Sequence, residues 1–450
     1  MKIAIIGCGK IGLALIEQLS REEHDLIAVD SDAALVEEIV NDYDVQGVAG
    51  NGASFEVLKE AHVQSADLVI ATTEQDEVNI LACMVAKKLG SADTIARVRN
   101  PEYFTLFMGK ELGLNMMVNP EYRAAQEISS ILRIPMAIKN EPFANGRAEM
   151  LELKLGKDNP LIGKQLSELG GTHKAKILVC AVKRGEEVLI PKGNFMLQEG
   201  DTVTVITEPK DSIRFFKKIG LTQAPVRSLM ILGGGKTTYY LARELQKLSI
   251  RIKILESDAR VAERLAEMLP HVEVVHADGT SQDVLLEEGL LSVDALVTLT
   301  DRDEANVIVS MYANSVKVPK VITSIGNLSY RKMLKQAGLE CIVSPKLLTA
   351  DQITTYVRGK QNSLETSVLT LYRIVDDRAE AIELLATPDF RALSTPIRNI
   401  PFASDLLIAG IIRDDVLIIP GGDDTIEPDD HVIVVTTRPL TDELNDLLLS

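Results

Sequence analysis

Apolar and polar positions along this 450-residue chain keep two rhythms. Short apolar runs bounded by turn residues read as buried strands, and apolar residues three or four apart read as one face of a helix. "KIAII" is such a run, and "KIGLALIEQLSREE" follows it with Ile11, Leu15 and Leu19 on one face. Next come the strand "DLIAVD", the helix "AALVEEIVNDY", the strand "LVIAT", the helix "EVNILACMVAKKLG" and the strand "TIARV". Such alternation predicts an α/β fold with a doubly wound parallel sheet. Further on, "LVCAVKRG", "EEVLI" and "DTVTVIT" are short and turn-bounded, which predicts a small α+β module.

The pattern then repeats. "DLIAVDSD" (25–32) matches "KILESD" (253–258), "GNGAS" (50–54) matches "ADGTS" (277–281), and "DLVIATTEQDEVNI" (67–80) matches "DALVTLTDRDEANVI" (294–308). "IARVRNPEY" (95–103) matches "ITSIGNLSY" (322–330), and the strand-rich segment 182–207 matches 411–436. The order is therefore A–B–A′–B′. "GLTQAPVRS" (220–228) reads as the linker between halves, and breaks at 140–146 and 359–365 separate A from B. The expected domains are 1–139 and 226–360 for the two doubly wound modules, with 140–222 and 365–450 for the α+β modules.

Charge narrows the partners. The 48 basic residues against 65 acidic ones give −17. An acidic chain lacks the field that nucleic acid binding needs, so nucleic acid is excluded as an expected partner. The start, "MKIAIIGCGKIGLAL", resembles a signal peptide only superficially, since Lys10 interrupts the apolar run and no small-residue cleavage site follows. No uncharged apolar stretch reaches the roughly 18–20 residues of a membrane helix. Cys8, Cys83, Cys180 and Cys341 are scattered without a CxxC pair, which suits a reducing cytosol and argues against a zinc site.

The chemistry sits in the turn after the first strand. Gly7, Gly9 and Gly12 form a GxGxxG that follows a strand, opens a helix and precedes an acid closing the second strand. Gly7 permits the tight turn, Gly9 a close backbone approach to pyrophosphate, and Gly12 close helix–strand packing. The helix N-terminus offers N–H groups to phosphate. Asp30 would bond both ribose hydroxyls and repel a 2′-phosphate, which favours NAD or another adenosine nucleotide over NADP. Thr73 and Glu74 lie past a strand's C-terminal end, Asn51 could reach adenine, and Arg97 could clamp phosphate with its planar fork.

A dehydrogenase needs a proton-transfer group beside its cofactor. The histidines at 24, 62, 173, 271, 276 and 431 have no evident partner. There is no Walker loop, because the glycines of "GGGKTT" stand too close, and no metal-ligand spacing. The expectation is a chain that binds nucleotides without transforming them, hence no enzyme, no catalytic residue and no metal.

The full arrangement resembles the Trk potassium-uptake regulatory subunit of TrkA type, built from two tandem RCK units, each with an N-lobe and a C-lobe. The features that carry it are "IIGCGKIG…VDSD…GNGAS…ATTEQDEVNI…IARVRNPEY" and "RGEEVLIPKG". The resemblance implies two Rossmann-like N-lobes, each followed by a small α+β RCK C-lobe. It implies a cytoplasmic protein attached to the inner face of the membrane through a membrane-embedded potassium transporter. It further implies self-association into a ring, expected to be a homotetramer, that reads NAD, NADH, ATP or ADP and gates ion flux. The implied contacts fall on Gly7, Cys8, Gly9, Lys10, Ile11, Asp30, Thr73, Glu74 and Arg97. In the second half they fall on Gly233, Gly234, Gly235, Lys236, Thr237 and Glu256. Two alternatives are a cyclic di-AMP-responsive regulator acting through the C-lobes and an NAD-dependent oxidoreductase.

The halves differ. Thr238 stands opposite Gly12, Ser324 opposite Arg97, Gly326 opposite Arg99, and Asp278 where Asn51 stands in the first half. Loss of the phosphate-facing cations predicts weaker binding in the second half, or a preference for AMP. Segments 118–135 and 343–360 read as helices that cross to a neighbouring lobe, with Ile128, Ile131 and Leu132 as an apolar face that serves assembly.

Overall fold

A computed structural model describes residues 1–22, 24–106, 113–157, 159–168, 177–218, 224–327, 330–363, 368–375, 378–403, 405–438 and 443–449. His173 lies outside the described residues. The first half runs β1 (Lys2–Ile6), α1 (Lys10–Leu19), β2 (Asp25–Asp30), α2 (Ala33–Asp42), β3 (Val45–Ala49), α3 (Phe55–Glu60), β4 (Leu68–Ala71), α4 (Asp76–Leu89), β5 (Asp93–Arg97), α5 (Pro101–Leu106), β6 (Met116–Val118) and α6 (Pro120–Arg133). It continues through β7 (Lys139–Phe143), β8 (Ala148–Lys154), β9 (Ile177–Arg184), β10 (Glu187–Leu189), β11 (Thr202–Thr207) and α7 (Pro209–Lys218).

The second half repeats the plan with β12 (Ser228–Leu232), α8 (Lys236–Leu245), β13 (Arg251–Glu256), α9 (Ala259–Met268), β14 (Glu273–His276), α10 (Gln282–Glu287), β15 (Ala295–Thr298), α11 (Asp303–Ser315), β16 (Lys320–Ser324), α12 (Arg331–Gln336), β17 (Cys341–Val343) and α13 (Pro345–Ser363). It closes with β18 (Val368–Ile374), β19 (Ala379–Leu385), β20 (Leu406–Arg413), β21 (Val416–Ile418) and β22 (His431–Thr436).

Two all-parallel sheets have the orders β3-β2-β1-β4-β5-β6 and β14-β13-β12-β15-β16-β17. Both are the doubly wound order whose ligand crevice opens between the first and fourth strands. β4 is apolar and buried along its length, and so is β1 from Ile3 to Ile6, as strands covered on both faces must be. Two antiparallel sheets, β10-β9-β11-β8-β7 and β18-β19-β22-β20-β21, form the α+β modules.

The chain divides into two compact units, and each draws on both halves. One holds Met1–Ile128 and Arg227–Thr354; the other holds Ser129–Val226 and Thr355–Ser450. The divisions fall inside α6 and α13. In the second unit, Phe143, Ala181 and Ile206 share one apolar cluster with Ile374, Ala381 and Val435. The apolar face of α6 needs a different reading. Ile128, Ile131 and Leu132 are already buried within a single chain, so their apolar spacing serves the fold itself and is no sign of an assembly surface.

Candidate nucleotide sites

The first glycine turn begins where β1 ends. Gly7 has φ +88°, and a Cβ there would lie 2.5 Å from the backbone nitrogen of Thr73, so glycine is required on two counts. Gly9 is extended and caps α1 without a side-chain bond, which leaves the first N–H groups of the helix facing outward. A Cβ at Gly12 would lie 2.2 Å from the Gly7 carbonyl oxygen. That carbonyl accepts a 2.8 Å bond from the Thr72 hydroxyl. Lys10 is exposed at the start of α1, and Ile11 is buried beneath it.

Asp30 closes β2 and braces this turn. Its Oδ2 accepts the Cys8 N–H at 2.7 Å, and its Oδ1 accepts the Asp32 N–H at 2.9 Å. The Cys8 thiol points inward to the Val29 carbonyl, and burial followed by the charge of Asp30 pushes it up to about 12. Cys8 is therefore a packing thiol. Asn51 is exposed after β3 and accepts the Ala53 N–H at 3.0 Å. Glu74 is exposed past β4. Arg97 is half-buried and donates to the Thr72 and Thr73 carbonyls at 3.4 and 3.3 Å, while its Nε is buried without a partner. Burial, then Arg99, pulls its guanidinium below the ordinary value against the pull of Glu121, Asp76 and Glu74.

A buried side chain that the sequence reading passed over ties these strand ends together. Asn79 Oδ1 accepts both the N–H and the hydroxyl of Thr73 at 2.7 Å, and its Nδ2 donates to the Thr73 and Arg97 carbonyls at 3.0 and 2.9 Å. Asp76 accepts the N–H groups of Arg99 and Asn100. Asn306 and Asp303 do the same in the second half for Thr300, Ser324, Gly326 and Asn327. The signal was the shared Asp and Asn in "DEVN" and "DEAN".

The second turn is built alike with different parts. Gly233 has φ +98°, and Gly235 caps α8 with open space around it. Thr238, opposite Gly12, does not spoil the packing. Its hydroxyl donates to the Gly233 carbonyl at 2.6 Å, the service that Thr72 renders to Gly7. Leu299 stands where Thr72 would be. Glu256 Oε2 accepts the Gly234 N–H at 2.5 Å and Oε1 the Asp258 N–H at 2.7 Å. Asp278 is exposed, and bonds from the Thr280 hydroxyl and N–H, with Arg302 nearby, hold its carboxyl below the usual range.

A cavity of about 940 Å³ opens over this second turn, lined by Gly233 to Thr237 and Glu256. Arg99 and Glu121, from the first half, form part of its wall and pair at 2.6 Å. The expectation that phosphate-facing cations are absent here is therefore corrected: Arg99 faces this turn, and Arg260, Arg264 and Arg302 line the same cavity. Among the described residues no cluster of three metal-ligating side chains occurs. His431 pairs with Glu383 at 2.7 Å, a structural contact of the second unit.

The family model of the TrkA-N domain matches residues 3–120 and 229–345, and that of the TrkA-C domain matches 150–220 and 382–449. The chain belongs to the TrkA family. A Trk system potassium uptake protein TrkA homolog 1 of Methanosarcina mazei is 31% identical over 454 residues, spanning 99% of each chain. The Trk system potassium uptake protein TrkA of Halomonas elongata is 31% identical over 98% of this chain and 97% of its own. A structure of the GsuK channel bound to NAD matches with a TM-score of 0.65 at 17% identity, over 97% of this chain and 76% of that one. The fold is thus that of tandem RCK units. The family is one of potassium-uptake proteins, not of enzymes. No helix among the described residues is long and apolar enough to cross a membrane.

Proposed function

We propose that this chain is the nucleotide-sensing regulatory subunit of a Trk-type potassium transporter, binding NAD(H), ATP or ADP without transforming it. The observation that carries the reading is the pair of glycine turns. Each has a left-handed first glycine, an uncapped helix N-terminus and a half-buried carboxylate closing the next strand. The NAD in the GsuK channel structure supports the same ligand class. In this reading the N-lobes are 1–139 and 226–360, the C-lobes are 140–222 and 365–450, and N-lobes from several chains form a ring under the membrane-embedded transporter. A homotetramer at the cytoplasmic face suits that role.

A ligand gates the ring only if it binds two conformations unequally. Moving a population from 1:99 to 99:1 takes about 5.5 kcal/mol of differential binding, which several sites in one ring can share. The second turn is proposed to favour AMP. Ser324 replaces Arg97 there and Glu121 pairs with Arg99, which leaves Arg260, Arg264 and Arg302 as the other arginines lining the cavity.

Calorimetric titration of the full chain with NADH, ATP and AMP tests this. Asp30→Asn keeps the side chain's size and removes its charge. It is expected to weaken adenosine-nucleotide binding at one site about tenfold or more, as loss of a charged hydrogen bond of about 1.5–3 kcal/mol implies. Affinity within twofold of wild type would remove the first turn as a nucleotide site.

A further inference from the structure

The two halves diverge just after the second strand of each parallel sheet. α2 and α9 are both ten residues long, and each is capped by an aspartate. Asp32 Oδ1 accepts the Ala34 and Leu35 N–H groups, and Asp258 Oδ1 accepts those of Arg260 and Val261. The repeat therefore sets Arg260 opposite Ala34 and Arg264 opposite Glu38. Residues four apart share one face of a helix. Both arginines line the cavity over the second glycine turn, beside Ser257 and Asp258 of the strand-to-helix loop. Glu263 and Glu267 each stand three residues on from one of them. Even so, among the described residues neither guanidinium forms a salt bridge.

The loop leading to these arginines is braced in this half alone. The His276 ring Nε2 lies 3.1 Å from the Ser257 carbonyl. A carbonyl only accepts, so this nitrogen carries the proton. β13 and β14 pair Glu256 with His276, whereas β2 and β3 pair Asp30 with Ala49, whose side chain has nothing to donate.

Both turns keep a carboxylate at the end of the second strand, and in both its oxygens are held by backbone N–H groups. In the nucleotide reading that carboxylate faces the ribose and repels an anion placed there. On α9 two arginines oppose the repulsion. On α2 Ala34 does nothing to offset it, and Glu38 adds to it. An arginine near the strand-closing acid is what lets a doubly wound site accommodate a ribose 2′-phosphate. Its planar fork bonds two phosphate oxygens at once.

We propose that the second turn takes an adenosine nucleotide with a phosphate on its ribose 2′-oxygen, held by Arg260 and Arg264. The inference rests on the nucleotide reading of that turn and deepens its AMP assignment. The 5′-phosphate takes the helix N-terminus of α8, and the second phosphate takes the arginines of α9. The first turn disfavours the same ligand.

Calorimetric titration of the full chain with AMP, adenosine 2′,5′-bisphosphate, NADH and NADPH tests this. The bisphosphate is expected to bind about tenfold or more tighter than AMP, the gain of one charge-assisted contact. Replacing both arginines, Arg260→Gln with Arg264→Gln, is expected to remove that gain and leave AMP within twofold. Asp30→Asn, in the first turn, is expected to leave the bisphosphate within twofold. Both arginines are exposed, so the urea midpoint of the double variant should match wild type. NADPH tighter than NADH by a similar factor, lost in the double variant, identifies a dinucleotide as the occupant. A gain confined to the bisphosphate identifies a mononucleotide. Bisphosphate affinity within twofold of AMP, or equal losses for the two in the double variant, would overturn the 2′-phosphate assignment. AMP binding that survives in Asp30→Asn keeps the nucleotide reading of the second turn, so the 2′-phosphate assignment then fails alone. If neither AMP nor the bisphosphate binds in that variant, both fail together.

Discussion

At the scale of single residues, the two glycine turns are held by matched pairs. In the first, a short carboxylate, Asp30, reaches the N–H of a residue that carries a side chain, Cys8. In the second, the carboxylate is one methylene longer and the facing residue is glycine. A Cβ at Gly234 would lie 2.8 Å from Glu256 Oε2 and 2.6 Å from Leu265 Cδ1. Gly234→Cys should therefore destabilise the chain by about 1–3 kcal/mol, the usual cost of overpacking. Adding Glu256→Asp should recover part of that loss by withdrawing the carboxylate. Urea unfolding of the single and double variants checks the pair; additive losses would show that the two positions are not coupled. The glycine spacing was legible in sequence because glycine is needed for its own backbone. The compensation was not, because Thr238 makes sense only together with Leu299, and Gly234 only together with Glu256.

At the scale of elements, the parallel strands were legible because each is a short apolar run with turn signals beside it. The buried face of α6 was legible too, at Ile128 and Ile131, although what it serves was misread. Apolar periodicity states that a face is covered and says nothing of which chain covers it. Polar staples stayed hidden for the opposite reason. Asn79 and Asn306 look like surface residues of a helix, yet both are fully buried. Each links the end of one strand to the next through four hydrogen bonds. Asn79→Ala should lower stability by about 2–4 kcal/mol, since buried donors and acceptors lose their partner. It should also weaken nucleotide binding, because Thr73 and Arg97 form the crevice edge. Asn306→Ala should cost a similar amount. A change under about 0.5 kcal/mol in thermal or urea unfolding, within the range of an ordinary surface substitution, would show that the staples are dispensable.

At the scale of the whole molecule, the tandem order A–B–A′–B′ suggests two halves joined by a linker, each able to stand alone. The packing is arranged otherwise. One unit combines residues 1–128 with 227–354, and the other combines 129–226 with 355–450, so both are built from both halves. In the first, Gln18 of α1 meets Asp351 and Thr354 of α13. In the second, the rings of Phe143 and Tyr372 lie 4.7 Å apart within a shared apolar cluster, and the Val375 N–H donates to Glu152 at 3.1 Å. Separating the halves would expose buried apolar surface in both units at once, at about 25 cal/mol per Å². Covalent continuity through the linker is then not what holds the halves together. Ala224 and Pro225 are exposed, which makes them a place for an inserted protease site. After cleavage there, the two fragments should still elute as one particle with the mass of the uncut protein and retain its nucleotide affinity. Fragments that separate on a sizing column in the absence of denaturant would show that each half is an independent body.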